Sequence, residues 1–84
     1  MITVSIKLGS ALDQYRPEGE TAQPYPLAVT ADCSVEDLIN QMGIPQEQML
    51  LVILNGDIVH KKDRATTTVI DSDNLSIMPP LYAG

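Results

Sequence analysis

The chain has 84 residues, 44% of them hydrophobic with neither Trp nor Phe, and eleven acidic against five basic side chains give a formal net charge of −6. A chain this short folds as one domain with a modest core of Ile, Leu, Val and Met, and it leaves little room for an enclosed active site, so a carrier or binding module is expected rather than a self-sufficient enzyme. The acidic balance repels a phosphate backbone and argues against nucleic acid as a partner.

Residues 2–8, ITVSIKL, set Ile2, Val4, Ile6 and Leu8 on one face and Thr3, Ser5 and Lys7 on the other, the two-residue period of a half-buried strand. That alternation, and the absence of a long apolar block, reads as neither signal peptide nor membrane span, so a cytoplasmic location is expected. From Gly9 to Tyr25 the chain is broken by Pro17, Gly19 and Pro24. It reads as a long connection with one helical turn near SALDQY. The segment carries Tyr15, Pro17, Pro24 and Tyr25 near its ends and reads as a packed loop, a partner-specific surface being the other possibility.

PLAVTA, residues 26–31, predicts a second strand paired back on the first. Cys33 follows Asp32, whose charge opposes thiolate formation; it reads as a structural thiol, and a single Cys forms no internal disulfide. SVEDLINQMG then carries a helix from end to end: Ser34 as N-cap, Asp37 at the third helical position to answer it, and Gly43 to close. Val35, Leu38, Ile39 and Met42 fall at the spacing of one buried stripe, leaving Glu36, Asn40 and Gln41 to water.

After Pro45, the apolar run from Met49 to Leu54 predicts a buried strand at the sheet centre, and Asn55-Gly56 predicts a tight hairpin, because such a turn needs positive φ at both central positions. Residues 60–73 are polar. His60 has no second ligand at metal spacing, and Lys61, Lys62 and Arg64, interrupted by Asp63, read as a solvated turn. Asp71 and Asp73 flank Ser72 before NLSIMP, a last strand that Pro79 and Pro80 end; the acids read as turn residues, not a metal loop. The pattern is an α+β domain with one main helix on a mixed sheet of about four to five strands. The strongly apolar first and last strands are expected side by side in its middle.

No internal phosphate loop, metal cluster or catalytic set emerges, so the remaining candidate is the end of the sequence, PPLYAG. A terminal glycine carboxylate has no side chain to crowd it and can enter a narrow channel for activation by ATP. Pro79 and Pro80 would stop the sheet, and Leu81 and Tyr82 would give a partner groove something to grip.

These residues resemble the MoaD/ThiS sulfur-carrier proteins, which have the β-grasp, ubiquitin-like fold. The resemblance runs over nearly the whole chain: the alternating first strand with LDQYRPEG, the SVEDLINQMG helix, VILNGDIV, and IDSDNLSIMPPLYAG where the family has Gly-Asp-x-Val, a strand, Pro-Pro and Gly-Gly. It implies a single β-grasp domain over 1–84 with 79–84 as a projecting tail. Sulfur would attach as a thiocarboxylate at Gly84, with Pro79, Pro80, Leu81, Tyr82 and Ala83 as the partner-binding tail. The carrier would hold no cofactor of its own and be no enzyme; a ubiquitin-activating-type adenylating enzyme would use ATP, and the sulfur would pass to the molybdopterin synthase large subunit or to thiazole synthase. Ala83 stands where the family has glycine, Tyr82 where the residue is usually small, and Ser72 where a glycine is preferred. Because of Ala83, a β-grasp subunit that docks without carrying sulfur is an alternative, as is a ubiquitin-like protein modifier.

Overall fold

The computed structural model describes residues 1–16, 24–45 and 47–79. Strands β1 (Ile2–Leu8), β2 (Tyr25–Val29), β3 (Leu51–Leu54), β4 (Asp57–Ile58) and β5 (Asn74–Met78) form one sheet in the order β2-β1-β5-β3-β4. The two most regular strands of the sequence do lie side by side at its centre: β1 and β5 run parallel, Ser5 opposite Asn74 through Leu8 opposite Ile77. β1 is antiparallel to β2 on one side, and β5 is antiparallel to β3 on the other.

Alternation then decides the two faces. Val4, Ile6 and Leu8 of β1, Tyr25 and Val29 of β2, Val52 of β3 and Leu75 and Ile77 of β5 are buried in one core with Val35, Leu38 and Ile39 of the helix α1 (Val35–Gln41). The SALDQY turn is a 3₁₀ helix, Ser10–Tyr15, whose Leu12 joins that core while Tyr15 packs at its edge. Tyr25 is also buried, whereas Pro24 is exposed, so of the residues expected to pack at the ends of the long connection Tyr15 and Tyr25 do so; residues 17–23 lie outside the described ones.

The helix signals are met at both ends. Ser34 Oγ accepts from the Asp37 amide at 3.0 Å and an Asp37 carboxylate oxygen accepts from the Ser34 amide at 3.3 Å. The first two helical amides, Val35 and Glu36, donate to the Thr67 and Arg64 carbonyls, so no first-turn N–H is orphaned. At the other end Gly43 (φ 84°) donates to Asn40 and Ile44 to Ile39, the paired bonds of a Schellman cap, and buried Ile44 covers Ile39.

Two expectations need correcting. The 49–54 run is not a buried central strand: β3 is second from the edge, Val52 alone is fully buried in it, and Met49 is 62% exposed. The run is continuous because both faces of β3 are apolar, although one of them is open. The second strand also begins one residue early, at Tyr25, and stops at Val29 before the turn at Ala31 and Asp32. The Asn55-Gly56 hairpin is present, with φ of 50° and 89°.

Candidate functional site

Of the six tail residues singled out, Pro79 is described; Pro80, Leu81, Tyr82, Ala83 and Gly84 lie outside the described residues. What the structure defines is the root from which they follow. β5 is flanked on both sides up to its last turnings: Ile77 faces Leu8 of β1 and Val52 of β3, and Met78 faces Leu51. The Gly9 amide donates to the Ile77 carbonyl at 2.8 Å, and the Leu12 amide donates back to Gly9. A Cβ on Gly9 would stand 2.8 Å from Cδ of Pro79 and 3.4 Å from Cα of Met78. Only glycine lets the 3₁₀ segment close over the exit of β5, since that approach is below any real Cβ contact with a ring that cannot move away.

The start of β5 is tied as firmly. Asp73 accepts from the Ile70 amide at 2.8 Å and from Asn55 Nδ2 at 2.9 Å, Asn55 Oδ1 accepts from the Asn74 amide at 2.8 Å, and an Asp71 oxygen accepts from the Thr3 amide at 2.8 Å. These carboxylates serve backbone N–H groups, which accounts for the Asp-Ser-Asp pattern; among the described residues no His, Cys, Asp and Glu group could hold a metal. The loop therefore fixes the register of β5, and the register fixes where Pro79 emerges.

On the face turned away from α1, Leu51 is opposite Met78 and Ile53 is opposite Ile58. Leu51, Ile53 and Met78 are half-buried and Ile58 is 58% exposed, so an apolar patch adjoins the tail root. Toward β1 the same face turns polar, with Ser5 and Lys7.

The remaining candidates behave as follows. Cys33 is buried, its Sγ donating to the Ser34 carbonyl at 3.3 Å; burial first, then Asp37 and Asp32, push its thiol pKa above the ordinary 9.0. That is an unreactive thiol. His60, Lys61 and Lys62 are exposed, as a solvated turn requires, but Arg64 is not: it is 8% exposed. Sequence reasoning grouped it with its neighbours because its anchor, a backbone carbonyl at Leu50, leaves no mark in the residue pattern. No described helix is long and apolar enough to cross a membrane.

A five-stranded mixed sheet wrapped on one helix, with the C-terminal strand at its centre and leaving at one end, defines a ubiquitin-like β-grasp domain. The ThiS family model matches residues 21–84, and the chain belongs to the ThiS family. The crystal structure of the thiamine biosynthesis protein ThiS from Geobacter metallireducens is similar at a TM-score of 0.64 and 18% identity, over 95% of this chain and 99% of that one. That of the small archaeal modifier protein 1 from Haloferax volcanii is similar at 0.65 and 17%, over 96% and 100%. No curated protein sequence matches the chain.

Proposed function

We propose that the chain is a sulfur carrier whose working group is the Gly84 carboxylate. Family membership supports a small carrier that acts through partner enzymes rather than an enzyme in its own right. The observation that carries the proposal is the rigid root: β5, paired on both edges through its last residues, ends at Pro79 against Gly9, so the position from which PPLYAG departs is set by the core. A partner can then find Pro79, the first residue of the tail, at a fixed place beside the apolar patch of Leu51, Ile53, Ile58 and Met78. In this reading 79–84 is the tail. The Gly84 carboxylate is adenylated by a ubiquitin-activating-type enzyme at the expense of ATP, a sulfur nucleophile displaces AMP, and the thiocarboxylate donates sulfur to thiazole synthase or to the molybdopterin synthase large subunit. Thiazole synthase is the favoured acceptor, since the family model is that of ThiS. The work is expected in the cytoplasm.

The likeness to small archaeal modifier protein 1 supports a second use of the same activated carboxylate, joining Gly84 to lysines of other proteins. One experiment separates these uses from simple docking. The Cys33→Ala protein, which lacks the one thiol that would itself bind mercury, is incubated with an activating enzyme, ATP and a sulfur donor and run on a mercury-containing gel. Retardation that vanishes when Gly84 is deleted is expected for the carrier. Heavier conjugates lost on the same deletion would favour the modifier. Neither signal, with the enzyme competent on a Gly-Gly carrier and on an Ala83→Gly variant, would leave docking as the function.

A further inference from the structure

The asparagines of the chain are Asn40, Asn55 and Asn74, and Asn55 alone precedes a glycine. Gly56 is there for its backbone, since it sits at φ 89° while nothing lies within 4 Å of where a Cβ would stand. The missing side chain has a chemical consequence as well. Asparagine counts among the thermolabile residues, and a side chain on the next residue is what hinders that residue's backbone nitrogen from reaching the carboxamide carbon. Position 56 has none.

In the fold the Asn55 carboxamide is committed elsewhere. Its Nδ2 donates to Asp73 Oδ1 at 2.9 Å, and its Oδ1 accepts from the Asn74 amide at 2.8 Å. The Asn55 backbone amide donates to the Asn74 carbonyl at 2.8 Å, so the hairpin turn is fastened to the start of β5 through side chain and backbone together. Asp73 is 7% exposed, and its other oxygen accepts from the Ile70 amide at 2.8 Å. The lock depends on Asn55 presenting a donor to that buried carboxylate. An acid at position 55 would present an anionic oxygen instead, and two carboxylates in hydrogen-bond contact disfavour each other's charge.

We infer that Asn55 is a site of spontaneous deamidation which the closed fold protects, and that its conversion to the acid unlatches the start of β5. The Gly56 nitrogen, its proton taken by solvent base, attacks the Asn55 side-chain carbonyl carbon. The new C–N bond closes a succinimide ring, and the carboxamide nitrogen leaves with a proton as ammonia. Water then adds at either ring carbonyl and the C–N bond there opens, which leaves an aspartyl or an isoaspartyl residue at position 55. The ring does not close while both ends of the carboxamide are held toward β5, so conversion proceeds from states in which this corner has opened. Once converted, the acid opposes reclosure, because it repels Asp73 where Nδ2 had donated. The site stands on these hydrogen bonds alone; that a loosened β5 misplaces the tail rests on the function proposed above.

The test needs no activating enzyme, so its failure is distinguishable from failure of the carrier reading. The full chain and the acetylated, amidated peptide LNGDI, residues 54–58, are aged side by side in mildly alkaline buffer. Aspartyl and isoaspartyl products at position 55 are separated by chromatography and counted by mass spectrometry after digestion. Conversion at least about tenfold slower in the chain than in the peptide is expected, and urea just below the unfolding midpoint should speed the chain severalfold. Equal rates would overturn the protection, and a chain that stays unconverted in that urea would overturn the site. The consequence is read on variants. Asn55→Asp should lower the urea midpoint. Adding Asp73→Asn returns a donor to the pair with its direction reversed, while the new amide oxygen still accepts from Ile70, and should recover at least about half of the loss, even where the single variant does not fold. An Asn55→Asp protein as stable as the parent, or a double variant no better than the single one, would overturn the latch.

Discussion

Ser72 sits at φ 71°, in the left-handed region that an L residue enters at a cost, while Asn55 at φ 50° has the short amide side chain that tolerates it. The backbone therefore explains why a glycine suits position 72: the turn from Ile70 to Asp73 demands positive φ there. Ser72→Gly should stabilise the fold by about 0.5–1 kcal/mol, the relieved strain exceeding the extra entropy of an unfolded glycine, read as a higher urea midpoint at unchanged slope. Cys33 makes a second prediction. Its folded pKa is raised, chiefly by burial, so the folded state keeps the proton after the unfolded state has lost it. Its contribution is intact below pH 9.0, the ordinary value, and is lost as pH rises beyond it. Stability measured by urea unfolding should therefore fall from there upward, and Cys33→Ala should flatten that fall while costing about 1 kcal/mol at neutral pH for the small cavity. The sequence named Asp32 as the opposing charge; the larger carboxylate effect comes from Asp37, which helix α1 turns back toward the thiol and which chain adjacency could not indicate.

Elements whose signals are local were legible. The capping box spans four residues, the Schellman cap six and the hairpin turn two, and each was met because its hydrogen bonds close within the window in which its residues are read. The strand β3 was misjudged for the opposite reason. Leu51 and Ile53 look inward in a one-dimensional run, but with Val52 committed to the core the two-residue period sends them to the other face, and whether that face is covered depends on elements far away in sequence. Gly9 is the clearest such case, since the chain gives no hint that it meets Pro79, seventy positions on in sequence. Gly9→Ala should destabilise the domain by about 1–3 kcal/mol, as inserting a methyl into a packed contact does, with the largest amide shift changes at Ile77 and Met78. Unfolding midpoints and spectra matching the parent would mean the 3₁₀ segment yields freely and the tail root is not fixed by this contact.

At the scale of the molecule, the core side and the open side of the sheet divide the labour. α1 seals one face, and the segments at both ends of β5 hold the register, so the other face can expose Ile58 without loss of the fold. The tail was legible as a candidate from its residue types, and the central strand that feeds it from its alternation; the patch beside it was not, because it exists only where β3, β4 and β5 come together. Ile58→Glu tests that division. The side chain is 58% exposed, so the charge should shift stability by about 0.5 kcal/mol at most. If an activating partner grips the patch, removal of that anchor should weaken the complex at least about tenfold, or 1.4 kcal/mol, as the loss of a central apolar contact does. Deleting Gly84 should do the reverse, leaving binding nearly intact and abolishing the thiocarboxylate. Affinity measured by titration calorimetry and product measured on the mercury gel should thus part company between the two variants. If Ile58→Glu binds like the parent, the partner reads the tail alone, and the open face of the sheet serves something else.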